Sequence, residues 1–256
     1  MDAISLRRHA RSVCASRLQE WCLRLACLVG IVALLLGLVL VIDEHKAVRA
    51  YEALAQRRGE VMDTGAGRGE NDAGDGLDDA CAAWVRVEGT SIDLPVAQAT
   101  DDDPSWYLWH DLWDEPSSAG CPFVDSRCAP DSKAVVCYGH HMALSHAIFS
   151  DLHDCYRQGR FDELGTCAWA THAAGTVTLE PLCALCVDSS WEPIQRFEFG
   201  DEGEFHAWLV GVCGAASARA TDWAALAGGA SRAVTLVTCS SNVAGGSLRT
   251  LVVFVA

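Results

Sequence analysis

Residues 233–256, AVTLVTCSSNVAGGSLRTLVVFVA, bring a thiol and a guanidinium within reach of one another. Residues 234–238 are apolar and β-branched, the composition of a buried strand, and Cys239 follows at the strand end. Residues 240–247 are small, polar and glycine-containing, which reads as a loop. Residues 248–255 read as a second strand, and its one charge is Arg249. A thiol at a strand end that faces a guanidinium on the neighbouring strand suits acyl chemistry. The thiolate is the nucleophile, and a nearby cation lowers its pKa. The planar fork of arginine donors suits a developing oxyanion. The same two residues also fit a plainer reading, a buried core cysteine and a surface arginine. A cysteine nucleophile needs a histidine near in space rather than in sequence. Of the nine histidines, His140 stands out because it ends a strong strand at a glycine, where side chains are presented to solvent or substrate. His141 would point the other way on an extended chain. His110, His146, His153, His172 and His206 lie in settings that suit solvated or core roles.

These three residues must be positioned by a folded domain that starts near Cys81. Residues 84–87 alternate, and 88–98 read as a turn and a short strand broken by Pro95. Residues 101–113 mix acids with Trp106, Tyr107, Trp109 and Trp113, for which core packing is the expectation in most cases. Residues 120–125 read as a short strand and 133–138 as a stronger one leading into Gly139-His140. Ile148, Phe149, Leu152 and Tyr156 have helical spacing, so 145–156 reads as a helix with Ser145 as its cap. Residues 165–170 and 176–187 read as strands, 200–216 as an amphipathic helix with an acidic start, and 221–226 as a short helix. Many short strands with few helices predict a mainly β domain, barrel-like or sandwich-like, with helical decorations.

Ahead of the domain, residues 1–24 carry Arg7, Arg8, Arg11, Arg17 and Arg24 against Asp2 and Glu20. Residues 25–42 run without a charge, and at about 1.5 Å per residue they span about 27 Å, close to the hydrocarbon thickness. Arginines precede the run, and Asp43 and Glu44 follow it. The positive-inside rule therefore places 1–24 in the cytoplasm, 25–42 across the membrane and everything after it outside. A cleaved signal peptide is the competing reading; the apolar run is long for one, and no small-x-small site follows it. Residues 43–58 have helix-forming composition and read as a continuation of the membrane helix or as a separate juxtamembrane helix. Residues 59–80 are rich in Gly and Asp and read as a flexible acidic linker. A net charge of −15 argues against a nucleic-acid partner.

Thirteen cysteines are many for this length. Cys183 and Cys186 have a redox or metal-ligand spacing, but no second pair follows at finger-like distance, and a disulfide with some other cysteine is the better reading of either. With Cys239 set aside, the cysteines beyond the apolar run are 81, 121, 128, 137, 155, 167, 183, 186 and 213. Their odd number leaves at least one free or paired between chains, and several fit as small buried apolar residues.

Three stretches together resemble the class B sortases, membrane-anchored cysteine transpeptidases of Gram-positive bacteria. WVRVEGTSIDLPVAQ at 84–98 resembles the family's opening strands. YGHHM at 138–142 with AIFSDL at 147–152 resembles its histidine motif, usually Tyr-Gly-His-Asn-Met followed by a helix. TLVTC at 235–239 resembles its Thr-Leu-x-Thr-Cys signature, and Arg249 stands where the family's arginine falls. The resemblance covers nearly all of 81–256. It implies a sortase-type β-barrel with an extra N-terminal helix and a helix before the cysteine strand, a role that 200–216 fits. It implies His140, Cys239 and Arg249 as the catalytic triad, no cofactor and no metal. It also implies a sorting-signal peptide of surface proteins as substrate, and an amine acceptor from a cell-wall precursor or a pilin. His141 replaces the usual asparagine, and Ser240 and Ser241 stand where some members carry an acid. A pilin-polymerising sortase, an inactive sortase-like binding module and a thiol hydrolase are the alternatives.

Overall fold

In the computed structural model, which describes residues 3–64, 77–142, 145–240 and 246–256, the β-rich region closes into a barrel. The strands are β1 (Ala83–Val87), β2 (Asp93–Gln98), β3 (Phe123–Val124), β4 (Ala134–Tyr138), β5 (Cys167–Thr171), β6 (Gly175–Asp188), β7 (Ala218–Arg219), β8 (Ala233–Cys239) and β9 (Leu248–Val255). Eight of them run in the order β5-β1-β2-β3-β4-β8-β9-β6, and a β5–β6 pairing closes the ring; the two-residue β7 adds to β6 outside it. The barrel is mixed, with β2–β3 and β4–β8 parallel and the other pairs antiparallel.

The two cores explain why β4, β8 and β9 read as nearly continuous apolar runs. Successive side chains on a strand point to opposite faces. Val135, Cys137, Val234, Leu236, Val252 and Phe254 fill the barrel interior. Val136, Ala233, Val237, Leu251, Val253 and Val255 lie on the outer face, under helices α3 (Glu202–Ala215) and α4 (Trp223–Gly229). A strand covered on both sides needs apolar residues on both, each worth about 1.5–3 kcal/mol when fully buried. Helix α3 starts where Asp201 accepts from Glu204 N at 2.8 Å, the N-cap that satisfies an orphan donor. It turns Phe205, Leu209 and Val212 onto the sheet.

Helix α1 spans Ala3–Thr64, and the described residues divide into two compact units, 1–43 and 44–256. In the first unit, Trp21–Val39 is long and apolar enough to cross a membrane. In the second, Ala47 and Tyr51 are buried in the barrel's core cluster, and Tyr51 Oη donates to Gly120 O at 2.9 Å. Gly120 has φ +64, and a Cβ there would meet Tyr107 O at 2.4 Å, so this turn requires glycine. The second unit thus begins at Glu44, whereas the sequence reading began the folded domain at 81. The helix also runs six residues past the boundary read at 58. Residues 65–76 of the expected linker lie outside the described residues.

Three expectations need correction. The helix expected over 145–156 is instead a 3-10 turn, Ser150–Leu152, preceded by His146 and Ile148 in left-handed conformations (φ 56 and 58). The left-handed pair interrupts any α-helix, and Ser150 Oγ holds the turn by donating to Ala147 O at 2.5 Å and accepting from Met142 N at 2.7 Å. A four-residue helix α2 (Gln158–Phe161) follows. Pro95 does not break β2 but lies within it opposite Trp84; β2 takes β3 as a partner only from Ala97 onward. Finally, Trp106, Trp109 and Trp113 are not core residues but are 37%, 63% and 42% exposed. Leu112 is the buried position of that segment, and Trp106 Nε1 is held at the surface by Asp114 Oδ1 at 2.8 Å.

Candidate active site

Cys239 ends β8 and stands directly opposite Arg249 on β9. Both are half-buried and share the outer face with Val237 and Leu251, by the parity of the strands. His140 reaches the same place from β4. Because β4 runs parallel to β8, with Tyr138 level with Val237, both strands end together, and Gly139 N continues the ladder to Val237 O at 3.0 Å. His140, Cys239 and Arg249 all line one cleft of about 630 Å³, with Leu108, Asp125, Arg127, Tyr138 and Thr238.

Each of the three is held by identifiable bonds. His140 Nε2 lies 2.8 Å from Leu108 O. A carbonyl can only accept, so Nε2 carries the proton, and Nδ1 is the ring nitrogen outside this bond. Phe149 N donates to His140 O at 3.0 Å. The indole of Trp109 lies 6.0 Å from the imidazole at 59°. Gly139 is required here, because a Cβ would lie 2.5 Å from the Phe149 ring. Arg249 Nη1 donates to Gly246 O at 2.7 Å and Leu248 O at 3.0 Å, which leaves Nε and Nη2 outside these two bonds. Exposed Asp188 is held down at about 2 by hydrogen bonds from Ser190 and Ser247, with a smaller contribution from the Arg249 charge. Thr238, next to the thiol, has a buried Oγ1 with no hydrogen-bond partner among the described residues.

A second charged group in the cleft was not anticipated from sequence. Asp125 is buried and receives Arg127 Nε at 2.8 Å and Nη2 at 2.6 Å, together with Tyr138 Oη at 3.0 Å. Burial pushes the carboxyl up, but the bonds from Arg127 and Tyr138 outweigh it and hold it below the usual carboxylate range. Burial and the adjacent Asp125 raise the Tyr138 phenol. Arg127 extends the bracing, donating from Nη1 to Gln195 Oε1 at 2.9 Å and lying 5.0 Å over the Phe197 ring. The Asp-x-Arg spacing at 125–127 was the available signal, since a carboxylate can accept from a guanidinium two residues on in a turn.

The other flagged residues lie elsewhere. The His141 ring stacks on His153 at 4.4 Å and does not line the cleft. His110 stacks on Trp106 at 3.5 Å. Cys183 and Cys186, three apart on β6, point to opposite faces: Cys183 toward α3, and Cys186 toward Ser240 Oγ at 3.6 Å. They cannot form a shared metal site or a local redox pair. Ser241 and the loop residues 241–245 lie outside the described residues, and the described residues hold no group of three or more metal-ligating side chains.

No family model and no curated protein matches the chain. Solved structures do. A Staphylococcus aureus sortase B–substrate complex is similar over 84% of this chain and 97% of its own, with a TM-score of 0.66 at 20% identity. The fold is that of sortase B. A sortase B complexed with triglycine covers 83% of this chain and 98% of its own, with a TM-score of 0.66 at 22% identity. The Clostridium perfringens sortase B covers 68% of this chain and 91% of its own, with a TM-score of 0.58 at 24% identity. Against the sortase B barrel, the short elements of this chain take on meaning. The resemblance implies a helix before the cysteine strand, where α3 and α4 lie, and an N-terminal helix, where the 44–64 part of α1 lies.

Proposed function

We propose that this protein is a cysteine transpeptidase of the class B sortase kind, anchored through its apolar N-terminal segment with the barrel outside the cell. The observation that carries the reading is that Cys239 and Arg249 are cross-strand partners in a cleft that His140 also lines. The arginine-rich residues 1–24 and the acids after the apolar run support the orientation.

The Cys239 thiolate attacks the carbonyl carbon of one peptide bond in a C-terminal sorting signal, and a C–S bond forms. Arg249 donates to the oxyanion through the part of its guanidinium not committed to Gly246 and Leu248. The C–N bond then breaks, and the leaving amine takes a proton from the His140 imidazolium. This leaves a thioester on Cys239. An acceptor amine attacks the thioester and gives a proton to His140, the C–S bond breaks, and the thiolate returns. Splitting acyl transfer in this way replaces one difficult step with two easier ones. A sortase B complexed with triglycine and another with a substrate support an amine acceptor and a sorting-signal peptide as the partners here. A cell-wall precursor amine is the acceptor this reading favours.

The test is the reaction of the purified full chain in detergent with a panel of sorting-signal peptides, followed by intact mass. The reading expects an acyl adduct on the wild type that a small amine discharges, and none on Cys239→Ala. Cleavage by Cys239→Ala at the wild-type rate would exclude the thiol as nucleophile.

A further inference from the structure

Cys183 on β6 and Cys213 in the last turn of α3 are both fully buried in the outer core as free thiols, and each is the leading influence on the other's ionisation. The backbone around them is tightly fixed. Cys183 stands opposite Arg219 of β7, Arg219 Nη1 donates to Cys213 O at 3.2 Å, and Ser217 N donates to Ala184 O at 3.0 Å. The chain between the two cysteines contains Gln195 and Phe197, the residues braced against the cleft's Arg127. The two cysteines therefore stand at the two ends of the connection that supports one side of the cleft, on elements that these bonds hold together.

We propose that Cys183 and Cys213 form a disulfide in the mature protein, clasping α3 to β6 while Cys239 remains a thiol. The fold separates the two kinds of cysteine. Cys239 is level with Val187, two strands away from β6, and Cys183 lies four residues further along. With strands about 4.8 Å apart and about 3.3 Å per residue, that is about 16 Å. Disulfide formation needs Cα atoms within about 7 Å. Cys186 is the nearer competitor in sequence, but it faces the other side of the sheet.

The pair oxidises by thiol–disulfide exchange with the disulfide of an extracytoplasmic oxidoreductase. One cysteine thiolate attacks a sulfur of that disulfide, forming a mixed disulfide and expelling the oxidant's other sulfur as a thiolate. The second cysteine thiolate attacks the bonded protein sulfur, closes the Cys183–Cys213 bond and releases the oxidant as a dithiol. Two protons and two electrons leave the pair. Because both thiols are buried in the folded protein, the exchange runs before α3 docks on β6.

The clasp rests on the extracytoplasmic placement proposed above, and the test separates the two. The full chain is isolated from membranes, unfolded in an alkylating agent without reductant, digested and mapped by mass spectrometry. In parallel, intact cells are treated with protease. The expected result is a Cys183–Cys213 linked peptide with Cys239 alkylated. Closing a loop of this length also predicts a melting temperature roughly 10 °C lower after reduction, and no reductant effect in the Cys183→Ala/Cys213→Ala variant. Alkyl label on both cysteines, or a bond from either to a different cysteine, overturns the clasp. If the barrel is then protease-accessible, the clasp alone fails; if it is protected, the placement fails with it. The mapping uses wild-type protein, so it decides even if the double variant does not fold.

Discussion

Replacing Gly139 with alanine tests how the strand end delivers His140. The added Cβ would lie 2.5, 2.7 and 2.9 Å from three atoms of the Phe149 ring, where ordinary contact begins near 3.4 Å. Relief requires a shift approaching 1 Å, and Phe149 is fully buried. Overpacking of this kind costs about 1–3 kcal/mol. In a unit of this size that lowers the melting temperature by about 2–12 °C. The displacement also reaches the proposed active site, since Phe149 N is bonded to His140 O. A misplacement of about 1 Å can cost about 100-fold in rate. Gly139→Ala should therefore show both losses, measured by thermal melting and by kcat/KM for cleavage of a sorting-signal peptide. The double variant Gly139→Ala/Phe149→Leu removes the obstructing ring edge and should regain part of the activity, a coupling that a double-mutant cycle isolates. Wild-type melting and wild-type kcat/KM in the single variant would refute the reasoning.

Arg249→Lys keeps the charge but loses the fork, and kcat/KM should fall by about 100-fold or more; near-wild-type turnover would remove the oxyanion role. Asp125→Asn weakens the hold on Arg127, and with that guanidinium half-exposed the cost should be about 1–3 kcal/mol by urea unfolding at pH 7. The folded-state pKa of Asp125 is depressed, so its stabilising contribution is present above the unfolded value of about 3.9 and is lost as the pH falls through the lower folded value. The difference between wild type and variant should accordingly shrink as the pH falls below about 4, and a difference that grows or stays constant with acidification would contradict this linkage. Tyr51→Phe removes the bond to Gly120 O at the helix–barrel contact and should cost about 1 kcal/mol, with kcat/KM unchanged. A variant as stable as the wild type would show that this contact does not hold the helix.

The strands around Cys239, Arg249 and His140 were legible because both of their faces are buried. Their apolar runs are long and free of turn residues, and the loop between β8 and β9 announces a hairpin that sets the two residues opposite one another. The helix read at 145–156 failed for a local reason. Its apolar residues do have helical spacing, but the polar Ser150 side chain satisfies the backbone in a tighter turn, and two left-handed residues precede it. The 44–58 packing was readable in principle from Ala47, Tyr51, Leu54 and Ala55 on one helical face, which composition alone passes over. The exposed tryptophans misled because indole size suggests core, whereas these rings lie at the surface against His110, His140 and Tyr51. Asp125 and Arg127 escaped because their roles depend on Tyr138 and Gln195, which are distant in sequence and meet them only in the fold.

The most direct measurement is the identity of the atom that carries the acyl group. Wild-type protein incubated with a sorting-signal peptide, quenched in acid and mapped by mass spectrometry, should carry the acyl fragment on Cys239, and the adduct should disappear on addition of an amine as the transpeptidation product forms. An acyl fragment on any other residue, or product formation by Cys239→Ala, would contradict the account.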